Sequence, residues 1–251
     1  MKLELRLKMG MKVDGVGKIV EGVNALEAAL NSNRVRKVLV LETKSTKSNK
    51  FNVLIDSIKK QNIDIEIIQD VKLWKFHARH NIVGICEEKK IFDEKNFEKI
   101  LSEKILILDH FQDTNNLGAV ARSAAAFDFR TIFLPKKRSV QISEKTFAIS
   151  SGGMEHINIV MYNSIFSLIK KIQNLDYWIV GLDMDSSDQV KDFDLKNQNI
   201  ALIVGSEETG LSNEIQKKLD LSVKISMTNN MESLNASVAT AIAMHEIFIK
   251  K

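Results

Sequence analysis

Short apolar runs, repeated between helical patterns, are the feature of this sequence that most restricts its fold. Each run spans three or four residues and leads into polar or small residues before the next helical pattern. Such runs are typical of strands buried on both faces of a mostly parallel sheet. In the second half of the chain they lie at residues 105–108, 131–134, 178–180, 201–204 and 223–225. The chain's only proline, Pro135, follows the second run and ends it, and a helical pattern over residues 234–249 closes the series.

The first part of the chain shows the same alternation on a smaller scale. Helical patterns and apolar runs alternate at residues 23–30, 38–41, 51–60 and 63–68. The segment 42–50 between two of them has no apolar residue and is predicted to be an exposed basic loop. Strands that alternate with helices indicate an α/β fold with a layered sheet.

Two domains follow from this arrangement. We predict a small α/β domain over residues 1–90, whose first 16 residues are a poorly defined extension, and a larger α/β domain over residues 105–251. The highly charged segment 91–104 is interpreted as the connector between them.

The charge of the chain is divided unevenly between these parts. Residues 1–104 contain 21 basic and 15 acidic side chains, which leaves 15 basic and 17 acidic side chains in the rest. A basic domain beside a nearly neutral one is expected of a module that captures a polyanion joined to a catalytic module. A lysine-rich surface without a binding role explains the charge equally well.

Composition and segment lengths limit the cellular setting. The single cysteine, Cys86, excludes an internal disulfide, and no paired Cys/His spacing indicates a metal site. The amino-terminal residues alternate charged and apolar side chains, and no run approaches the roughly 18 apolar residues of a membrane span. We therefore expect a cytoplasmic protein without membrane or metal partners.

Three of the apolar runs in the second half are followed by clusters of polar residues. After the first run come Asp113, Asn116, Gly118 and then Arg122, early in an alanine-rich helical pattern. Asp and Asn at this position cap a helix, but capping does not account for the whole cluster together with Arg122. In open α/β sheets ligands bind where strands end, so the cluster is a candidate site.

The other two clusters follow the runs at 201–204 and 223–225. Gly205 and Gly210 bracket a polar loop, which is a weak signal because a plain turn is as probable. Ser233 is a plausible N-cap of the last helix, whereas Asn235 is predicted in its first turn, where asparagine is unfavourable. Asn235 is therefore the stronger functional candidate.

Several other chemistries are excluded by motif. The sequence has no Gly-x-x-x-x-Gly-Lys-Ser/Thr phosphate loop, no three-glycine dinucleotide motif, no His-Glu-x-x-His and no Gly-x-Ser-x-Gly. Aromatic residues make up only 6% of the chain, so the composition does not indicate an aromatic platform for stacking RNA bases.

Taken in order, the three polar clusters resemble the three motifs of the SpoU (TrmH) family of RNA ribose 2′-O-methyltransferases. The matching residues are Asp113, Asn116, Gly118 and Arg122 of the first motif, residues 203–210 of the second and residues 233–239 of the third. Residues 22–28 more loosely resemble the start of the family's RNA-binding domain, which is similar to a ribosomal protein. Thr114 and Ser226 stand where the family has proline, and Asn229 where it usually has glycine.

The resemblance implies a trefoil-knotted (SPOUT) methyltransferase domain that binds S-adenosylmethionine, preceded by the ribosomal-protein-like domain, in a homodimer whose site lies near the subunit interface. The cofactor-binding residues implied are Gly205, Ile225, Met227 and Leu234. The catalytic residues implied are Asn116, Arg122, Glu207, Ser233 and Asn235. Because a guanidinium does not release its proton in the usual pH range, we assign Arg122 to phosphate positioning and alkoxide stabilisation, although the family proposal makes it the base.

The expected reaction is methyl transfer to a ribose 2′-OH in RNA. The additional amino-terminal domain favours a guanosine of large-subunit ribosomal RNA as the substrate, since it resembles the layout of the enzymes that modify this RNA. Two alternatives stay open at this point: a tRNA substrate, and an RNA-binding homologue that has lost catalysis.

Overall fold

The computed structural model describes residues 16–43, 48–77, 79–137, 140–193, 195, 197–206, 209–228, 230 and 233–250. The predicted extension apart from its last residue, residues 44–47 of the basic loop and Glu207 lie outside the described residues. The described chain divides into two compact units. The first contains the residues up to Lys90 together with Ile142–Glu155, and the second contains Ile91–Gln141 and His156–Lys251.

Both units are built of strands and helices in alternation. The strands are β1 (Ile19–Glu21), β2 (Val35–Leu41), β3 (Asp64–Ile68), β4 (Ile82–Cys86), β5 (Ile91–Asp93), β6 (Lys104–Leu108), β7 (Thr131–Pro135), β8 (Asn158–Tyr162), β9 (Tyr177–Leu182), β10 (Asn199–Val204) and β11 (Leu221–Val223). The helices are α1 (Val23–Asn31), α2 (Asn49–Lys60), α3 (Thr114–Ala126), α4 (Glu144–Ser150), α5 (Gly153–His156), α6 (Ile165–Gln173), α7 (Asn213–Gln216) and α8 (Ala236–Phe248). No described helix has the length and apolar character needed to cross a bilayer.

The first unit contains a mixed sheet of four strands in the order β1-β4-β2-β3. The strands β2 and β3 pair in parallel, and β4 pairs antiparallel with both β1 and β2. The helix α2 begins at Ser48, whose hydroxyl accepts a hydrogen bond from the Phe51 amide. It buries Phe51, Leu54 and Ile58, which lie on one face at helical spacing.

A segment distant in sequence completes the first unit. Glu155 of α5 forms a bidentate ion pair with Arg34, with both N–O distances 2.9 Å, and its side chain is only 1% exposed. The same guanidinium donates to the carbonyls of Gly17 and Glu87, and it lies over the Phe147 ring of α4. These contacts fix the segment Ile142–Glu155 in the first unit, although it lies between β7 and β8 in sequence.

Cys86, at the end of β4, is buried near this ion pair, and burial raises the pKa of its thiol to about 12. Because the thiolate is the reactive form, we expect the native protein to react with a disulfide reagent at pH 8 about 10³-fold more slowly than the unfolded chain. Following thiol release with and without denaturant measures this ratio. A Val53→Cys variant, with its thiol at an exposed position of α2, is the control and should react rapidly in the native state.

The second unit contains a seven-stranded sheet in the order β11-β9-β10-β6-β7-β8-β5, and all its strand pairs are parallel. All five residues of the central strand β6 are buried, as the continuous apolar run predicts. The core on one side of the sheet includes Ile105, Ile107, Phe133 and Ile203. The predicted parallel α/β fold is therefore confirmed.

Two segments differ from the predicted domain organisation. Residues 91–104, interpreted as a connector, contain β5, which pairs with β8, and Phe97, which is buried in the core of the second unit. The segment Ile142–Glu155, predicted within the larger domain, belongs to the first unit. Both differences arise from contacts with residues far away in sequence, which local patterns do not contain.

Candidate active site

The topology brings the ends of several strands together at one edge of the second sheet. The central strands β6 and β10 are parallel neighbours, so the loops that follow them leave the sheet at the same edge. The strands β9 and β11 end at this edge as well, because they pair in parallel with their neighbours. In a parallel sheet this edge is the usual position of a ligand site.

A cavity of about 250 Å³ lies at this edge, and we refer to it as the first cavity. Its lining includes all four residues predicted to bind the cofactor, Gly205, Ile225, Met227 and Leu234, together with Ser233. Asp183 and Asp185, which follow β9, also line it and were not identified from the sequence. The volume is close to the lower end of the range for small-molecule sites, roughly 300 Å³.

Gly205 is required for the closure of the loop after β10. A Cβ atom at this position would lie 2.0 Å from the carbonyl oxygen of Gly210 and 2.7 Å from the amide nitrogen of Leu211. Both are backbone atoms, so the loop would have to move to accept a side chain. The weak glycine signal in the sequence therefore corresponds to a close approach of two backbone segments.

We expect Gly205→Ala to weaken binding of S-adenosylmethionine at least about tenfold, because the displaced loop lines the first cavity. Isothermal titration calorimetry with the purified full-length variant measures the effect. Gly210→Ala is the matched control, since its Cβ would meet no atom within 4 Å and only the positive φ of 61° opposes it. Equal affinities for Gly205→Ala and the wild type would contradict the prediction.

Two asparagines from different motifs contact each other beside the first cavity. The side-chain amide of Asn235 donates to the side-chain oxygen of Asn116, at 3.1 Å. Asn116 lies in the first turn of α3 and is 7% exposed. This hydrogen bond joins residues separated by 119 positions.

The structure corrects the predicted start of the last helix. Asn235, and not Ser233, is the N-cap of α8, and its side-chain oxygen accepts hydrogen bonds from the amides of Ser237 and Val238. Asn235 therefore does not lie in the helix interior, where asparagine is unfavourable. Its side-chain oxygen has a structural role, because it caps the helix. Its NH₂ group contacts Asn116 instead, so the one side chain both caps α8 and connects it to α3.

The structure does not bring Arg122 into the first cavity. Its side chain is exposed on α3, and it is not among the residues that line the cavity. Glu207, the other charged residue predicted in the site, lies outside the described residues. Of the five predicted catalytic residues, Asn116, Ser233 and Asn235 are thus the ones that the structure places at or beside the cavity.

A second cavity of about 500 Å³ adjoins the first, and its lining includes Asp113 of the first polar cluster. It is lined by the loop after β6, by the start of α6 and by the loop after β10. Ser206, Thr209 and Gly210 line both cavities, so one loop separates them. The side chains that line the second cavity also include Asp109, His110 and Phe166, which is 46% exposed.

An apolar groove lies between α3 and α8. It is lined by Ala119, Ser123 and Phe127 on α3 and by Ser237, Val238, Ala241, Ile242 and His245 on α8. Val238 is 46% exposed although it is apolar. The two helices pack against each other, and the rings of Phe127 and His245, which both line the groove, lie 5.3 Å apart.

Comparison with known proteins decides the family. The profile of the SpoU rRNA methylase family matches residues 103–245, which is more than half of the chain. The chain belongs to this family. A second profile, described as the substrate-binding domain of RNA 2′-O ribose methyltransferases, matches residues 19–91. Together they confirm the predicted enzyme class, an S-adenosylmethionine-dependent RNA 2′-O-methyltransferase with a substrate-binding domain ahead of it.

Individual relatives of this SpoU-family chain have low sequence identity to it. A protein of Staphylococcus aureus assigned to the TrmH family of tRNA/rRNA methyltransferases is 26% identical over 242 residues, which are 93% of this chain and 96% of the relative. The AdoMet-bound rRNA methyltransferase from Sinorhizobium meliloti is 20% identical with a TM-score of 0.72, and the match covers 91% of this chain and 85% of the other. The TrmH/SpoU tRNA-modifying enzyme of A. aeolicus is 24% identical with a TM-score of 0.54, covering 61% of this chain and 78% of the other.

Proposed function

We propose that this chain transfers a methyl group from S-adenosylmethionine to the ribose 2′-OH of a guanosine in large-subunit ribosomal RNA. The observation that carries the proposal is the first cavity, where the four predicted cofactor-binding residues lie together beside the Asn116–Asn235 hydrogen bond. Residues of the family's second and third motifs line this cavity. The hydrogen bond from Asn235 to Asn116 connects the first motif to it.

The residues of the first cavity fit S-adenosylmethionine chemically. Ile225, Leu234 and Ala239 supply an apolar surface suited to an adenine ring. Asp183 and Asp185 supply carboxylates that complement a ligand with positive charges on its sulfonium and amino groups. Asp183 is held in place, because it accepts hydrogen bonds from the Gln216 side chain at 2.7 Å and from the Asp185 amide at 3.1 Å.

When bound, S-adenosylmethionine supplies a methyl group that is already electrophilic, so the protein has to position the ribose and assist the loss of the hydroxyl proton. We assign the positioning to Asn116, Ser233 and Asn235 at the cavity, together with Glu207. Arg122 contributes positive charge that holds a phosphate and stabilises the developing alkoxide.

The position of Arg122 supports a shared site in a homodimer. The groove between α3 and α8 is mainly apolar and leaves Val238 half exposed, as expected of a surface that a second subunit covers. Arg122 lies three residues after Ala119 on α3, and Ala119 lines this groove. We therefore propose that a second copy of the chain covers the groove and that Arg122 of each protomer acts in the site of its partner.

The preference for ribosomal RNA rests on the first unit. The rRNA methyltransferase of Sinorhizobium meliloti matches 91% of this chain, including this unit, whereas the tRNA-modifying enzyme of A. aeolicus matches 61%. A chain with an additional RNA-binding domain is suited to a substrate with more extensive contacts. This pattern favours ribosomal RNA over tRNA as the substrate.

Two measurements test the proposed function. Calorimetric titration with S-adenosylmethionine is expected to show one site per chain, since an RNA-binding homologue without catalysis has no need of the donor. Mapping 2′-O-methyl groups in RNA from cells with and without the protein is expected to show one guanosine site lost from large-subunit ribosomal RNA. Loss of a tRNA site instead would assign the alternative substrate, and absence of donor binding would reject the enzyme.

A further inference from the structure

The second cavity contains a side-chain arrangement that the methyl-transfer site does not explain. The ring nitrogen Nδ1 of His110 lies 2.9 Å from the Asp109 carboxylate, which also accepts a hydrogen bond from the buried Tyr162 hydroxyl at 3.1 Å. Tyr162 donates to the Leu108 carbonyl as well, which holds the carboxylate at the end of β6. The imidazole is therefore fixed in orientation at the wall of the cavity.

The backbone of His110 also contributes to this arrangement. Its φ is +57°, in the left-handed region that Asn, Asp and His adopt more readily than other non-glycine residues, and six other described residues share this conformation. Residues held in such conformations are found more often at ligand sites than elsewhere. His110 lines the second cavity in this conformation.

The charge of the lining indicates which part of an RNA the cavity accepts. Its residues include the carboxylates of Asp109 and Asp113, the amide of Gln112 and several hydroxyls, but no lysine or arginine among the described residues. Asp109 is already bonded to His110 and Tyr162, and Asp113 caps α3 through its Oδ1 atom, so the carboxylate oxygens of this lining repel a phosphate. They favour a neutral group that presents N–H donors, as a nucleobase does.

Phe166 supplies the surface on which a base can stack. It is 46% exposed at the start of α6, where it borders the second cavity beside Ile165. Base–aromatic stacking is a general mode of binding unpaired nucleotides. A stacking face next to carboxylate acceptors forms the two parts of a base-recognition site.

We propose that the second cavity binds a guanine base of the substrate RNA, stacked on Phe166 and hydrogen-bonded by the polar residues of the loop after β6. Guanine presents adjacent N1–H and NH₂ donors, which a carboxylate can accept together, whereas uracil presents a single N–H between two carbonyls. The cavity is separated from the first only by the loop with Ser206, Thr209 and Gly210, so a base bound there lies beside the proposed donor site. The inference rests on the proposed function and adds to it the group that selects the nucleotide.

Methyl NMR of the full-length protein tests this with free nucleotides as probes. Ile165 and Ile215 line the second cavity, whereas Ile225 and Leu234 line the first. Guanosine 5′-monophosphate is expected to shift the methyl signals of Ile165 and Ile215 at millimolar concentration. Inosine 5′-monophosphate, which lacks the 2-amino group, should bind at least about fivefold more weakly, and uridine 5′-monophosphate weaker still.

Two variants separate a base site from nonspecific binding. Phe166→Ala should weaken the binding of guanosine 5′-monophosphate about tenfold. Trp178→Ala, which removes an exposed aromatic residue outside both cavities, should leave this binding unchanged. His110→Asn should weaken it as well while retaining the backbone, because asparagine tolerates positive φ. Equal responses to the three nucleotides, or equal losses in Phe166→Ala and Trp178→Ala, would overturn the inference.

The same spectra distinguish failure of this inference from failure of the proposed function. If S-adenosylmethionine shifts Ile225 and Leu234 but guanosine 5′-monophosphate leaves Ile165 and Ile215 unchanged, the base site is wrong and the methyltransferase stands. If guanosine 5′-monophosphate binds and S-adenosylmethionine shifts neither pair, the base site stands and the proposed reaction is wrong.

Discussion

Arg122→Ala is expected to lower the rate of methyl transfer in a single-turnover assay by about 10²–10³-fold while leaving the affinity for S-adenosylmethionine nearly unchanged. The size of the effect follows from removing a charged hydrogen-bond donor from the developing alkoxide. The unchanged affinity follows from the position of Arg122, which is exposed on α3 and does not line the first cavity. Arg130→Ala is the matched control, since Arg130 lies on the surface of the same unit and pairs with Asp128.

Mixing two impaired variants, at a concentration of S-adenosylmethionine too low to occupy the Gly205→Ala cavity, tests whether Arg122 acts across the subunit interface. In a heterodimer of Arg122→Ala and Gly205→Ala, one site combines an intact first cavity with an intact Arg122 from the partner. Random pairing would restore roughly a quarter of the wild-type sites if the site is shared. If Arg122 acts within its own protomer, no heterodimer site is complete and mixing restores nothing. A near-wild-type rate for Arg122→Ala alone would reject the assignment altogether.

Glu155→Ala is expected to destabilise the first unit by about 3–5 kcal/mol, because it leaves the buried Arg34 guanidinium without its counter-charge. Arg34 is only 11% exposed, and its other recorded partners are backbone carbonyls and the face of Phe147. Burial already lowers the pKa of nearby Lys89, while the charge of Glu155 raises it. Removing that carboxylate therefore affects two cations at once.

Urea unfolding can report on this unit alone. The chain has two tryptophans, and Trp74 lies in the first unit, so a Trp178→Phe background leaves its fluorescence as a specific probe. Glu27→Ala, which removes an exposed carboxylate paired with Lys50, is the control and should change stability by no more than about 0.5 kcal/mol.

An Arg34→Met, Glu155→Leu double variant should be much more stable than Glu155→Ala, since neither charge remains buried. A loss below about 1 kcal/mol for Glu155→Ala would show that the ion pair does not hold the segment.

Local patterns were sufficient for the second sheet and for the candidate cofactor residues. The run at β6 is apolar throughout because both faces of a central parallel strand are covered, so its burial follows from its composition. Residues after parallel strands meet at one edge, which is why Gly205, Ile225 and Leu234 line one cavity although they are distant in sequence. The edge strand β5 and its neighbour β8 were not predicted, because short strands with partly exposed residues resemble loops.

The sequence by itself therefore determined the alternation of strands and helices, the edge at which the polar clusters gather and the family to which the chain belongs. Only the tertiary structure decided that Asn235 caps α8 and binds Asn116, that Glu155 pairs with Arg34 within the first unit, and that Arg122 lies apart from the first cavity. The physical reason is range: burial and periodicity are properties of neighbouring residues, whereas these contacts join side chains 119 and 121 positions apart and depend on how the whole chain packs.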